Sequence, residues 1–174
     1  MILAILLAAQ LAAPPPDASC AIALPLLPRR KAAQERVLYG DGAPSGWLTE
    51  VLARPDLELG WRGQAPEAAT LEAFRKQPDL SALTCPALRQ LAAREGEVAD
   101  DASLIRRLDA ERLKSPPIAA YRMSLPAIGP RGDEALVAVS AASNQLSVDG
   151  WLVFLRKDAQ GHWREAGRKL LFVG

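Results

Sequence analysis

The chain predicts an α+β fold in which N-terminal helices pack on a C-terminal four-stranded antiparallel meander. Three observations carry this. Apolar residues recur at helical spacing before residue 118, four apolar runs follow it, and polar or glycine-bearing segments separate those runs.

The chain opens on an uninterrupted apolar stretch, Ile2 to Ala9, then Gln10, Leu11-Ala12-Ala13 and the break Pro14-Pro15-Pro16. A helix crossing a bilayer core needs about 20 apolar residues, so this stretch is too short to span. Its length and the small residues behind it fit a signal peptide, although no Lys or Arg precedes it; a buried apolar helix is the alternative. Cleavage is expected between Ala12 and Ser19. Residues 1–19 are therefore read as signal peptide and processing zone, and residues 20–174 as a single α+β domain. Its helical part covers 20–118 and its sheet part 119–174.

Within the helical part, Pro28 suits a first helical position, and a short helix is expected from there through Leu38. Gly40-Asp41-Gly42-Ala43-Pro44 forces a loop. Ser45 is a natural N-cap for a helix from Gly46 to Ala53, where Trp47, Leu48, Val51 and Leu52 share a stripe that Arg54-Pro55 ends. Pro66 to Gln77 predicts another helix with Leu71 and Phe74 inward. The best-defined one runs from Cys85 through Glu95, capped by Thr84 and stopped by Gly96, with Leu88, Leu91 and Ala92 on the face of Cys85. Asp100 or Asp101 opens a last helix carrying Leu104, Ile105, Leu108 and Leu113, ended by Pro116-Pro117.

In the sheet part, strands are expected at Tyr121–Leu125, Ala135–Val139, Trp151–Leu155 and Lys169–Val173. Gly129-Pro130-Arg131-Gly132-Asp133 and the polar loop from Ser143 to Gly150 make the first two connections. Asp158-Ala159-Gln160-Gly161 makes the third, a short glycine-bearing hairpin turn. The third strand is apolar on both faces, with Trp151, Val153 and Leu155 against Leu152 and Phe154, so it should be covered on both sides.

Charge excludes some functions. Without residues 1–19 only Asp17 is lost, so the 20 acidic residues become 19 against 21 basic ones. That balance advertises neither nucleic acid nor an anionic membrane. Arg outnumbers Lys and Ala is abundant, the usage of a GC-rich bacterial genome.

The two cysteines, Cys20 and Cys85, agree with export: an even, low number in an exported chain predicts one bridge. Lipidation of Cys20 is the competing use, and the two exclude each other. Asp17-Ala18-Ser19-Cys20 has small residues before the cysteine, but an acid stands where a lipoprotein motif wants an aliphatic side chain.

Catalytic and metal signals are sparse. His162 is the one histidine and sits beside a hairpin turn, so neither a zinc site nor a histidine-based triad is expected. No Gly-x-Ser-x-Gly elbow is present, and Ser45 reads as a helix cap. Gly40-x-Gly42 lacks the third glycine and the βαβ frame of a phosphate loop. Arg131-Gly132-Asp133 reads as turn chemistry, Asp100-Asp101 as helix capping, and Glu95-Gly96-Glu97 as the edges of a helix stop. No catalytic, cofactor-binding or metal residue is assigned, and no cofactor is expected.

Several motifs carry a resemblance. They are Tyr121-x-x-Ser124-x-Pro126, Gly132-Asp133-x-Ala135-Leu136-Val137-x-Val139, Gly150-Trp151-Leu152-x-x-Leu155 and Asp158-x-x-Gly161-x-Trp163-x-x-x-Gly167, followed by Leu170-Leu171-Phe172-Val173. This part resembles the C-terminal sheet of small secreted bacterial proteins of unassigned function, which implies a sheet and no activity. Element order is also similar to cone-shaped domains of the nuclear transport factor 2 type, which curl a sheet around helices.

These observations predict an exported domain, periplasmic or secreted, without catalysis. Its partner would be a protein, a peptide or a small apolar ligand, met by apolar positions such as Trp163 on the outer face of the sheet. No nucleic acid and no integral span of the mature chain are expected. Two rival readings are an enzyme of the nuclear transport factor 2 type using carboxylates and Tyr121 in a pocket, and an envelope component anchored through a lipid on Cys20.

Overall fold

The computed structural model describes residues 16–29, 36–42, 53, 60–77 and 80–174. Its helices are α1 (Pro16–Ala23), α2 (Ala68–Lys76), α3 (Pro86–Glu95) and α4 (Asp101–Ala110). The strands are β1 (Arg36–Gly40), β2 (Arg62–Gly63), β3 (Glu97–Ala99), β4 (Ile118–Met123), β5 (Ala127–Ile128), β6 (Glu134–Ser143), β7 (Val148–Lys157) and β8 (Trp163–Val173).

All eight strands form one sheet in the order β2-β8-β7-β6-β4-β1-β3, with β5 beside β6. This overturns the expected four-stranded antiparallel meander. The fold is α+β, but its sheet is mixed: β1 lies parallel to both β4 and β3. The run β4-β6-β7-β8 is antiparallel, and strands from the first 118 residues extend it on both flanks. The helical part is therefore not purely helical. The helix expected through Leu38 gives way to β1, where Val37, Leu38 and Tyr39 are all buried. β-branched and aromatic residues favour a two-faced buried strand over a helix. Residues 30–35 and the expected helix Gly46–Ala53, apart from Ala53, lie outside the described residues.

The other helices form close to their expected limits, and the N-cap of α3 differs from the one expected. Cys85, not Thr84, is the N-cap of α3, and Pro86 fills its first turn, where its missing N–H costs nothing. Thr84 instead ends a short 3-10 turn, Ala82–Thr84. Asp100 caps α4 by accepting from Ser103 N at 2.8 Å. Leu113 lies beyond α4, with a positive φ of 57°.

Alternation on β6 divides the core. Ala135 and Val137 point to one face, where they meet Val37, Tyr39, Met123, Val153 and Leu155 under α1 and α3. Leu136 and Ala138 point to the other, against Leu152, Phe154 and the α2 side chains Leu71 and Phe74. Further across that second face, α4 sets Leu104 over Leu38, Ile118 and Ala120.

Two buried polar groups pin these layers. Glu134, 2% exposed, accepts from Glu67 N (3.0 Å) and Thr70 Oγ1 (2.8 Å), and Arg156, its cross-strand partner, lies 3.3 Å away. A carboxylate from the sheet thus caps α2, whose own N-cap side chain makes no such bond. Asn144 donates to the carbonyls of Glu111 and Lys114 and accepts from Ile118 N, tying the exit of α4 to the β6–β7 hairpin. Each arrangement satisfies backbone groups that would otherwise be buried unpaired.

Cys20 and Cys85 stand with Cα atoms 5.7 Å apart, in geometry compatible with a disulfide between α1 and the start of α3. No helix among the described residues is long and apolar enough to cross a membrane.

Candidate functional site

The second sheet face is covered in two patches, by α2 and by α4, and a hollow lies beside α4. Its floor follows from register. Ser140 on β6 pairs with Arg122 on β4 and with Gly150 on β7, and Gly150 pairs with Phe172 on β8. In the next row Ala142 pairs with Ala120 and Val148. Side chains at these positions share a face, so the floor is built from alanine, serine and glycine where the rest of the face carries leucine and phenylalanine. A helix laid over small residues at normal packing distance leaves space beneath it.

The hollow has a volume of about 220 Å³, is half-enclosed, and is lined by Leu104, Ala120, Arg122, Ser140, Ala142, Val148 and Phe172. Leu104 is the α4 wall. The Phe172 ring is the opposite wall, and it lies across Gly150, where a Cβ would run into it. Glycine is required there for close approach.

One cation enters this apolar lining. Arg122 Nε donates to Asp101 Oδ1 at 2.8 Å. The arginine stem passes so close to Gly40, one step beyond the Tyr39–Tyr121 pair, that a Cβ there would meet it. A Cβ on Gly42 would likewise strike the Asp101 carboxylate. The Gly40-x-Gly42 loop thus makes room for the Arg122–Asp101 pair instead of cradling a phosphate. Asp101 sits in the first turn of α4, where the helix dipole also favours its negative charge.

Ser140 is 6% exposed and lines the hollow, so its hydroxyl is set into an otherwise apolar wall.

A second depression, about 550 Å³, runs along α4 and β3 and is lined by charged side chains. Its charges are mutually satisfied: Arg107 with Glu97 at 2.7 Å, and Arg36 with Glu111 at 2.7 Å. It offers solvated ion pairs rather than a binding cavity.

The residues singled out by sequence lie elsewhere. Tyr121 is on the first face, its ring 6.4 Å from that of Tyr39, and so faces away from the hollow. Trp163 also packs on the first-face core, with Lys157 Nζ 5.0 Å from its ring centroid. His162 closes a hairpin in which Asp158 accepts from the N–H groups of His162 and Gln160. Chiefly the His162 N–H bond holds the Asp158 carboxyl below its usual range; the Ser103 hydroxyl does the same for Asp100. In Arg131-Gly132-Asp133, Gly132 takes a φ of +75°, as a turn demands. Ser45 lies outside the described residues. Among the described residues no group of three His, Cys, Asp or Glu side chains is placed to hold a metal.

Sequence reasoning passed over Arg122, Ser140, Ala142 and Gly150. The available signal was the small-residue run Ser140-Ala141-Ala142 in an apolar strand, followed by Gly150 at the start of the next. No protein-family model, curated protein or solved structure matches the chain.

Proposed function

We propose that this is an exported, non-catalytic domain that binds a small, largely apolar ligand in the hollow beside α4. The observation that carries the reading is the hollow itself: a concave apolar space floored by Ala120, Ser140, Ala142 and Gly150 on an otherwise filled sheet face. Binding sites have this character, apolar walls with few polar groups. At about 220 Å³ it is smaller than the roughly 300–1,000 Å³ of pockets for drug-sized molecules, so its ligand is small. Export, to the periplasm or the medium, is supported by the disulfide-compatible cysteine pair, since such bridges persist in oxidising compartments.

The test is titration with N-phenylnaphthylamine, an uncharged apolar fluorophore, against the wild-type protein and Ala142→Leu. The added isobutyl group occupies the floor of the hollow. Saturable fluorescence gain on the wild type, weakened about tenfold or more in the variant, is the expected result. Equal binding to both proteins, or none to the wild type, would overturn the reading.

A further inference from the structure

We infer that the ligand of this hollow carries a carboxylate, received by the Arg122 guanidinium and the Ser140 hydroxyl, with its apolar body lying toward Ala142, Val148 and Phe172. The inference rests on the hollow being a ligand site and adds the chemistry of its polar end.

Arg122 and Ser140 are cross-strand partners on one face, so both polar side chains enter an otherwise apolar lining from the same row of the sheet. Arg122 spends its Nε on Asp101, and its two Nη atoms make no hydrogen bond among the described residues. A guanidinium presents five N–H donors in a fixed fork and accepts nothing, so what completes it must be an acceptor. Ser140 brings a further donor from a side chain more than nine-tenths buried. The Nη edge of Arg122 and the neighbouring Ser140 hydroxyl match a carboxylate's paired oxygens, and such charge-assisted bonds are about twice as strong as neutral ones.

Local charge permits a second anion beside Asp101. That carboxylate is held by the first turn of α4 as well as by Arg122, and its side chain is 44% exposed, against 23% for Arg122. Asp101 is thus screened by water and the helix dipole, while Arg122 is the less hydrated member and acts into an apolar cavity. Asp100, the neighbouring acid, is committed to Ser103 N and Oγ on the exposed surface.

Octanoate and octanol, equal in chain length and different in charge, test the inference by displacing N-phenylnaphthylamine. Octanoate should bind about tenfold or more tightly than octanol. Ser140→Ala should weaken octanoate several-fold and leave octanol unchanged. Asp101→Asn, which removes a competing anion, should strengthen octanoate alone, a change that a merely structural role for Arg122 would not produce. Arg122→Gln should bring octanoate to the level of octanol. Equal displacement by the two compounds, displacement by neither, or a Ser140→Ala effect common to both would overturn the carboxylate assignment. The hollow itself is judged separately, by whether Ala142→Leu loses the fluorophore.

Discussion

Replacing Cys20 and Cys85 together by alanine should destabilise the protein without altering its fold or its hollow. The pair closes a loop across a sequence separation of 65 residues. In the chain-entropy account, a cross-link of that span removes freedom from the unfolded chain worth about 4 kcal/mol at 25 °C. Replacing the buried Cys85 thiol by a methyl group adds about 1 kcal/mol at most. For a domain of this size each kcal/mol moves Tm by roughly 2–4 °C, so the double variant should melt roughly 8–20 °C lower. Circular dichroism melts of the oxidised wild type and the variant measure this directly. Because the bridge ties α1 to α3 on the first sheet face, fluorophore binding in the hollow on the second face should be unchanged. A fall in Tm under about 2 °C would refute the loop-closure argument. The intact mass of the protein gives an independent check. It should be two hydrogens below the dithiol value, and a diacylglycerol adduct on Cys20 would refute the bridge outright.

Two further outcomes follow from the polar groups. Glu134→Ala leaves Glu67 N and Thr70 Oγ1 without their shared acceptor while Arg156, 42% exposed, stays solvated, so urea denaturation should show a loss of about 1–3 kcal/mol for each donor left unpaired. Thr70→Val, which deletes one bond to the same carboxylate, should cost less. Asp100 and Asp158 have folded pKa values below their ordinary range, so each contributes stability that is fully present above the unfolded Asp value of about 3.9 and lost as pH falls through the depressed value. Melts from pH 6 down to pH 2 should therefore decline more gently in Asp100→Asn and Asp158→Asn than in the wild type.

Local pattern revealed those elements whose residues repeat often enough to show a period. β6, β7 and β8 are each ten residues or longer, and α2, α3 and α4 carry apolar side chains three and four apart. β3 has only three residues, wedged between Gly96 and the cap of α4, and three residues show no period. β1 was hidden differently: Val37-Leu38-Tyr39 is a short apolar run, compatible with either a helix or a strand. Its partners β3 and β4 are distant in sequence, and parallel pairing leaves no turn signal to mark it. The same missing register concealed the hollow. Arg122, Ser140 and Gly150 lie in three strands, and only knowing which residue faces which turns three ordinary positions into one row. The Cys20–Cys85 pairing needed no register, because two cysteines leave a single intramolecular choice.

The hollow is better explained as a maintained feature than as loose packing. A half-open apolar hollow leaves apolar surface in contact with water, and one larger aliphatic residue at Ala142 or Ala120 would fill it. Two groups also bear an expense without an evident structural return. Ser140 sets a hydroxyl into an apolar lining, although alanine occupies the same face two residues away on either side. Gly150 gives up strand propensity so that Phe172 can lie across it as a wall. If these features served packing alone, Ala142→Leu would strain the site and lower Tm. If they are kept for a ligand, the variant that loses the fluorophore should be as stable as the wild type or more so. That separation of stability from binding marks a residue held small for function, and a joint loss of both would assign the hollow to the scaffold.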